Sequence, residues 1–234
     1  MRLTSMNQKL AVFDLDGTLY DGQVWKALVG YLWQKGVNRG ATAAYVARNM
    51  SRYLLYKAKL ISRDTVWDRF AREIMGMLGG LTTEAIHPLA DDLHHSHIVA
   101  HLDPRLLAEW DRFGRQGYQR IILSGSPTLL VAAIGRALGA SAALGTEAEI
   151  RDGRLTGRVV GDLVHGKAKM KRLVDYIAQE GWGVDWRNSH AFGDSYTDLM
   201  VLSLVGHPYA VRPDAKLHAH AQAHGWRVLT AVDS

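Results

Sequence analysis

Cysteine is absent from this chain of 234 residues. Its absence excludes disulfide bonds, thiolate metal sites and a cysteine nucleophile, and it is typical of proteins in a reducing compartment. Apolar stretches all fall short of the length that crosses a membrane, and the polar segment Met1–Lys9 is too short for a secretory signal. These absences predict a globular protein of the cytoplasm.

Basic residues are concentrated in one part of the chain. Between Asp21 and Met75 there are ten Lys or Arg residues, four Asp or Glu residues and seven Trp or Tyr residues. Such a segment can attract anionic substrates, an acidic membrane surface or nucleic acid. The plainer interpretation is a solvated basic face with its aromatic side chains packed inward, and it is favoured because charge runs usually lie on surfaces. No nucleic-acid motif is present, so nucleic acid is not expected as a partner, whereas contact with a membrane surface stays open.

Strand and helix patterns alternate along the chain. Helical spacing of apolar residues predicts helices over residues 22–35, 41–59, 63–77 (with Ser62 as its N-cap), 82–97, 104–113, 128–138, 167–180, 196–203 and 214–223. Short apolar runs predict strands over residues 9–15, 119–123, 189–192, 208–211 and 227–229. Residues 144–160 contain short apolar pieces around a predicted hairpin turn at Arg151-Asp152-Gly153. The alternation predicts an α/β fold with a Rossmann-like parallel sheet and right-handed crossovers.

Two carboxylates follow the first predicted strand. Asp14 and Asp16 occupy alternate positions, so they project to the same side of the chain. Two close acids repel each other, whereas a cation neutralises both and lets one act as nucleophile or ligand and the other as proton donor. The alternative is structural, because Asp16-Gly17 is a common turn dipeptide.

Three further segments end a predicted strand or begin a predicted helix. They are Ile121-Ile122-Leu123-Ser124-Gly125-Ser126, Gly166-Lys167-Ala168-Lys169 and Ala191-Phe192-Gly193-Asp194-Ser195-Tyr196-Thr197-Asp198. A parallel α/β sheet binds its ligands beyond the carboxyl ends of its strands. The spacing therefore places these segments and Asp14 at one edge of the sheet.

Together with Asp14-Leu15-Asp16-Gly17-Thr18, these segments resemble, in order, the four motifs of the haloacid-dehalogenase-like phosphatase superfamily. The resemblance covers residues 9–229. Arg154-Leu155-Thr156-Gly157 and Val205-Gly206-His207-Pro208 resemble the phosphoserine-phosphatase-like branch, which carries a helical cap between its first two motifs. The resemblance implies an α/β core domain of residues 1–20 and 104–234 and an inserted cap domain of residues 21–103.

The resemblance also implies the roles of the acidic residues. Asp14 is expected as the nucleophile that forms an aspartyl-phosphate, and Asp16 as the acid that protonates the leaving group and then activates water. Mg²⁺ is the expected cofactor, held by the Asp14 and Asp194 carboxylates and by the backbone carbonyl of Asp16. Thr18 and Asp198 are expected to support this site.

Phosphate binding is expected from the second and third motifs. The Ser124 hydroxyl and the Gly125 amide would bind the phosphate, although Ser126 is an alternative to Ser124. The family pattern assigns the active-site lysine to Lys169, with Lys167 as the other candidate.

The expected activity is Mg²⁺-dependent hydrolysis of a small-molecule phosphomonoester. Two alternatives stay open, a phosphoserine phosphatase proper and a non-catalytic phosphate-binding protein of the same fold. In phosphoserine phosphatases a cap Glu and a cap Arg bind the amino acid, and alignment places Asp68 near the first position and Ile74 at the second, with Arg72 on another helix face. The missing carboxylate partner argues against phosphoserine. The aromatic, basic composition of the predicted cap favours a larger or more apolar ester.

A histidine cluster lies near the end of the predicted cap. His94, His97 and His101 share one helical face, which is a pattern that could bind a transition metal. The favoured interpretation is a polar helix surface or a hinge, because no cysteine supports a metal site here and the acidic motifs already account for one.

Overall fold

The structure, a computed structural model, describes residues 7–61 and 63–230, except for the side chains of residues 63–68 and 71. Strands in these ranges are β1 Leu10–Phe13, β2 Gln119–Pro127, β3 Ala142–Thr146, β4 Ala148–Arg151, β5 Arg154–Val159, β6 His190–Gly193, β7 His207–Val211 and β8 Arg227–Leu229. Helices are α1 Val24–Lys35, α2 Arg39–Lys57, α3 Arg63–Leu78, α4 Thr83–Leu93, α5 Pro104–Arg115, α6 Thr128–Ala137, α7 Lys167–Gln179, α8 Leu199–Leu202 and α9 Ala215–Ala223. The predicted N-cap of α3, Ser62, lies outside the described residues.

Six strands form one parallel sheet in the order β3-β2-β1-β6-β7-β8. The predicted α/β fold with a Rossmann-like parallel sheet is confirmed. β1 is central, because Phe13 is in register with Ile122 of β2 and with Phe192 of β6. The chain that leaves β1 therefore emerges between the ends of these two neighbours.

Helices cover both faces of the central strand. Val12 belongs to an apolar cluster with Leu173 of α7 and Leu217 of α9. Phe13 points to the opposite face, where its ring lies 5.2 Å from that of Trp110 of α5. A strand that is buried on both faces is apolar throughout, which is why Leu10-Ala11-Val12-Phe13 could be recognised from the sequence.

Helices α1 to α4 lie between β1 and β2 in sequence, where the cap was predicted. The two chain segments that connect them to the sheet run side by side. Tyr20 and Leu102 form an antiparallel bridge, the Asp21 amide donates to the His101 carbonyl at 2.8 Å, and the Asp103 amide donates to the Leu19 carbonyl at 2.9 Å. The exact division into residues 1–20 and 104–234 against residues 21–103 stays a prediction.

The predicted hairpin is confirmed. β4 and β5 are antiparallel and are joined by Asp152 and Gly153, whose φ angles of 50° and 70° suit a two-residue turn. The Leu155 amide donates to the Leu81 carbonyl at 2.9 Å, and the Gly80 amide donates to the Leu155 carbonyl at 2.8 Å. The hairpin therefore contacts the turn between α3 and α4 of the inserted segment.

Two local predictions differ from the structure. The sequence predicts only short apolar pieces over residues 144–160. The structure instead has an edge strand of the main sheet, β3, at this point, because residues 142–144 pair in parallel with β2. The helix predicted to reach His97 ends at Leu93 and continues as a π-helical turn, His94–Ile98, and a 3-10 turn. At this point the Ser96 hydroxyl donates to the Asp92 carbonyl at 2.5 Å, and such side-chain bonds compete with the regular helical pattern. Within the described ranges, none of the helices is long and apolar enough to cross a bilayer.

Candidate active site

The loop after β1 is anchored to the neighbouring strand. The Asp14 amide donates to the Phe192 carbonyl at 2.9 Å, which extends the sheet by one residue and fixes the direction of the Asp14 side chain. Gly17 then takes a φ of +84°, and the chain turns sharply beyond the sheet edge. Asp14 and Asp16 thus lie at the carboxyl edge of the sheet, as the sequence predicts.

Lys169 is the lysine that reaches this edge. Its side chain is buried, and its Nζ atom lies 2.5 Å from Asp14 Oδ1 and 2.5 Å from Asp198 Oδ1. Burial lowers the pKa of Lys169, but the two neighbouring carboxylates outweigh burial and raise it above its ordinary value. Lys167 is exposed at the start of α7, so the geometry favours Lys169 of the two candidates.

Asp14 has one free oxygen. The residue is buried, and among the described residues its Oδ2 atom has no hydrogen-bond partner. Burial raises the pKa of Asp14 well above its ordinary value, and the Asp198 and Asp194 carboxylates raise it further, against the opposing effect of Lys169. A buried polar oxygen without a hydrogen-bond partner destabilises the folded protein unless a bound group supplies the missing contact.

Three carboxylates converge at this point. One oxygen from each of Asp14, Asp194 and Asp198 lies within 4.8 Å of the other two. Burial, aided by the nearby Asp198 carboxylate, raises the pKa of Asp194 to about 7. An all-oxygen donor set with an unpartnered carboxylate oxygen fits a hard cation such as Mg²⁺. The predicted ligands Asp14 and Asp194 thus lie together. Asp198, which was expected only to support the site, lies close to both.

Gly17 allows this close approach. A Cβ atom at residue 17 would lie 2.3 Å from Asp194 Oδ2, which is well inside van der Waals contact. Only glycine gives both the positive φ and the space for the Asp194 carboxylate.

The side chain of Asp16 points to the second motif. The hydroxyls of Ser124 and Ser126 each donate to Asp16 Oδ2 at 2.9 Å, and the Val24 amide donates to Asp16 Oδ1 at 2.5 Å. This orientation is compatible with the expectation that the backbone carbonyl of Asp16 is its metal ligand. The bond from Ser126 was not predicted, and the Gly-Ser-Pro sequence gave no signal for it.

Of the two residues expected to support the site, Thr18 forms no side-chain hydrogen bond there, whereas Asp198 contacts the lysine. The Thr18 hydroxyl is buried and has no hydrogen-bond partner among the described residues, so it does not hold Asp16. Asp198 accepts from the Ser195 amide at 3.2 Å and from the Ser195 hydroxyl at 3.1 Å while it contacts Lys169. The predicted support from Asp198 is therefore directed at the lysine.

Arg212 was missed by the sequence analysis. It follows β7, takes a φ of +41°, and donates to the carbonyls of Gly17 and Thr18 at 2.9 and 2.7 Å. It also forms an ion pair with the buried Asp103 carboxylate. The only sequence signal was its place after an apolar strand, at the same sheet edge as the motifs.

The histidine cluster does not assemble as a metal site. His94 is buried, whereas the Nδ1 atom of His101 lies 3.0 Å from the His97 carbonyl oxygen. Among the described residues, the three aspartates form the only group of three or more acidic or imidazole ligands close enough to share an ion.

Of the two positions aligned with the amino-acid-binding cap residues of phosphoserine phosphatases, the one whose side chain is described is apolar. Ile74 is buried in the apolar core of the inserted helices, so its position offers no charge to a substrate carboxylate. The side chain of Asp68 lies outside the described residues.

The sequence is similar to known phosphatases. A family model described as haloacid dehalogenase-like hydrolase matches residues 11–203. The chain is 30% identical to phosphoserine phosphatase SerB1 of Mycobacterium tuberculosis over 222 residues, which cover 93% of this chain and 69% of that protein. It is 28% identical to a histidinol-phosphatase of Neisseria meningitidis, with 95% of this chain and 98% of that protein covered.

Solved structures have the same fold. A Bordetella pertussis protein described as of unknown function superposes with a TM-score of 0.82 at 25% identity, over 96% of this chain and 99% of that one. A substrate-bound phosphoserine phosphatase superposes with a TM-score of 0.62 at 19% identity, over 96% of this chain and 93% of that one.

Proposed function

Since this chain belongs to the haloacid dehalogenase-like hydrolase family and is a phosphatase, we propose that it hydrolyses a small-molecule phosphomonoester through an aspartyl-phosphate on Asp14. The observation that carries the proposal is the buried, unpartnered Oδ2 atom of Asp14 beside the Lys169 ammonium. A carboxylate oxygen that is fixed by the sheet and left without a partner is suited to attack an incoming phosphorus atom.

The charges support a divalent cofactor. Asp14, Asp194 and Asp198 supply three carboxylates against the single ammonium of Lys169. When all four groups are ionised, the excess of negative charge repels a phosphate dianion. Mg²⁺ held by Asp14 and Asp194 would neutralise this excess and polarise the phosphoryl oxygens.

The reaction then needs one proton donor. Asp14 Oδ2 attacks phosphorus, the bond between phosphorus and the ester oxygen breaks, and the leaving alkoxide takes a proton from Asp16. Water next attacks the phosphorus of the aspartyl-phosphate, gives its proton to Asp16 and releases inorganic phosphate. The bonds from Ser126 and Val24 hold the Asp16 side chain for this work, and the Ser124 bond adds to them until substrate binds.

The phosphate-binding roles follow from the same geometry. Lys169 would stabilise the charge on the transferred phosphoryl group as a point charge. The Ser124 hydroxyl, which donates to Asp16 in this structure, would turn to a phosphoryl oxygen when substrate is bound, and the Gly125 amide would join it.

The substrate is proposed to be a phosphorylated small molecule of the cytoplasm. Buried Ile74 argues against an amino-acid carboxylate at that position and favours a more apolar ester. A screen that includes phosphoserine and histidinol phosphate, the substrates named by two relatives, distinguishes these possibilities.

Hydrolysis of p-nitrophenyl phosphate tests the mechanism. We expect turnover with Mg²⁺, loss of turnover with a chelator, and abolition by Asp14→Asn. Asp175→Asn is the matched control, because Asp175 lies exposed on α7 in an ion pair with Lys171. Full activity of Asp14→Asn would refute the nucleophile, and phosphate binding without turnover by the unmodified protein would indicate a non-catalytic binding protein.

A further inference from the structure

The outward face of α2 is apolar. Thr42 and Tyr45 mark the side of this helix that packs inward. From one turn after Thr42, a row of apolar side chains winds away from this packed side: Val46, Met50 and Leu54, at successive helical turns, are 42%, 56% and 61% exposed. Large apolar side chains in a continuous row on a surface helix commonly mark a contact surface.

Aromatic and apolar side chains extend this row at both ends. Trp33 lies beside the start of the helix and is 54% exposed, whereas Tyr53 is 48% exposed near its end and Leu60 is 70% exposed just beyond it. The expectation that the aromatic residues of this segment pack inward therefore holds for Tyr31 and Tyr45 and fails for Trp33 and Tyr53. We call Trp33, Val46, Met50, Tyr53, Leu54 and Leu60 the outer face.

The sequence segment that contains most of the outer face has basic residues and no acidic ones. The sequence from Gly36 to Arg63 contains no acidic residue and six basic ones: Arg39, Arg48, Arg52, Lys57, Lys59 and Arg63. Arg48 and Arg52 pair with Glu73, whereas Lys57 and Lys59 form no ion pair with any described carboxylate.

Basic and aromatic groups are interleaved on this surface. The Arg39 guanidinium lies 5.8 Å from the ring centre of Trp33, and the Lys57 ammonium lies 5.5 Å from that of Tyr53. Tryptophan and tyrosine concentrate where an apolar phase meets water, and lysine extends from that boundary to charged groups.

We propose that the outer face docks on the surface of an anionic lipid bilayer. The apolar side chains enter the boundary between headgroups and acyl chains, and Arg39, Lys57 and Lys59 contact the lipid phosphates. The helix lies in the plane of the surface and does not cross it, since its opposite side is packed on the protein.

A second copy of the chain fits this surface less well. In a twofold contact the same patch meets itself, so Lys57 and Arg39 would face groups of their own sign. The stretch around the outer face offers no acid that could compensate this repulsion. An anionic bilayer supplies the opposite charge.

Vesicle sedimentation of the full chain tests the proposal. We expect binding to vesicles of equal parts phosphatidylcholine and phosphatidylglycerol, little binding to pure phosphatidylcholine, and release as salt rises from about 0.05 M to about 0.5 M. Met50→Gln with Leu54→Gln, and separately Lys57→Gln with Lys59→Gln, should each weaken binding about tenfold or more. Val174→Gln and Arg115→Gln are matched controls, because these side chains are exposed on α7 and α5.

All variants should keep wild-type hydrolysis of p-nitrophenyl phosphate, which shows that they are folded. Equal binding to neutral and anionic vesicles would overturn the proposal. So would full binding by the Met50/Leu54 variant, because attachment through charge alone needs no apolar face. Concentration-dependent dimers that this variant abolishes without lipid would assign the face to a second copy.

Discussion

Arg212 and Asp103 form an ion pair although 109 residues separate them in the sequence. Asp103 begins α5, and the same arginine binds the two carbonyls that follow Asp16. Arg212 therefore joins the loop after the proposed catalytic aspartates to the segment through which the chain returns from the inserted helices. We assign it a positioning role, because it reaches backbone atoms of the site and touches none of the proposed reacting atoms.

Replacing Arg212 tests this role. We expect Arg212→Ala to lower kcat about tenfold or more, because small displacements of catalytic groups are costly. The free energy of unfolding should fall by about 1–3 kcal/mol, because a buried charged partner is lost. Arg212→Lys should restore little of the lost kcat and stability, since one ammonium cannot bind the two carbonyls and the Asp103 carboxylate as the guanidinium does. Equal kcat for wild type and both variants, measured beside Arg115→Ala, would contradict the assignment.

We expect Lys169 to link the stability of the folded protein to the binding of Mg²⁺. Lys169→Met leaves the buried carboxylates of Asp14 and Asp198 without their cation, so we expect a loss of about 3–5 kcal/mol in chemical denaturation without metal. Mg²⁺ should restore part of this loss, because it supplies positive charge to the same carboxylates. Turnover should fall about 10²–10³-fold.

Lys167→Met is the control for Lys169, because Lys167 is exposed two residues earlier on the same helix. If the two methionine variants had equal stability and equal turnover, the assignment of the active-site lysine would be wrong.

Gly17 and Gly153 form a matched pair of glycines. Both have positive φ angles, +84° and +70°, but only at Gly17 would a Cβ meet a carboxylate, whereas at Gly153 nothing lies within 4 Å. Alanine at either position should cost about 1–2 kcal/mol through backbone strain. Only Gly17→Ala should also raise the Mg²⁺ concentration needed for half-maximal activity, because it displaces Asp194. If the two variants needed the same Mg²⁺ concentration, this would contradict a role in metal binding for the close approach of Asp194 to Gly17.

His190 makes the stability of the sheet sensitive to acid. Burial, together with the neighbouring positive charges of His207 and Arg112, lowers the pKa of His190 from 6.5 to about 4. Because the folded pKa is below the unfolded one, the unfolded chain binds a proton first as pH falls. The contribution of neutral His190 to the free energy of unfolding is therefore fully present above pH 6.5 and is lost as the pH falls toward 4.

His190→Phe should remove this part of the acid sensitivity. The ring of His190 lies stacked on that of His207, at 4.5 Å between centres, so phenylalanine preserves the shape. Urea denaturation between pH 4 and pH 7 measures the slope, and an unchanged slope in the variant would show that His190 is not the responsible group.

Much of the fold and the core of the site could be predicted because they depend on local pattern. A buried strand that ends in Asp14 and a helix that begins near Lys169 are visible in the sequence, and parallel topology brings their ends together. Arg212 could not be predicted, because its partners are backbone carbonyls and an aspartate distant in sequence. The second hydroxyl on Asp16, from Ser126, depends on the shape of one turn, which composition does not specify.

The paired segments at Tyr20 and Leu102 have a consequence for how this architecture can vary. Because the insertion leaves and rejoins the sheet at adjacent backbone positions, its ends are already as close as those of a hairpin. A different helical module can be grafted at these two positions while the strand before Asp14 and the helix that carries Lys169 keep their place, provided that the new module supplies the amide that Val24 donates to Asp16. The inserted segment can then change while the proposed catalytic groups stay in place, by recombination in nature or by domain grafting in the laboratory.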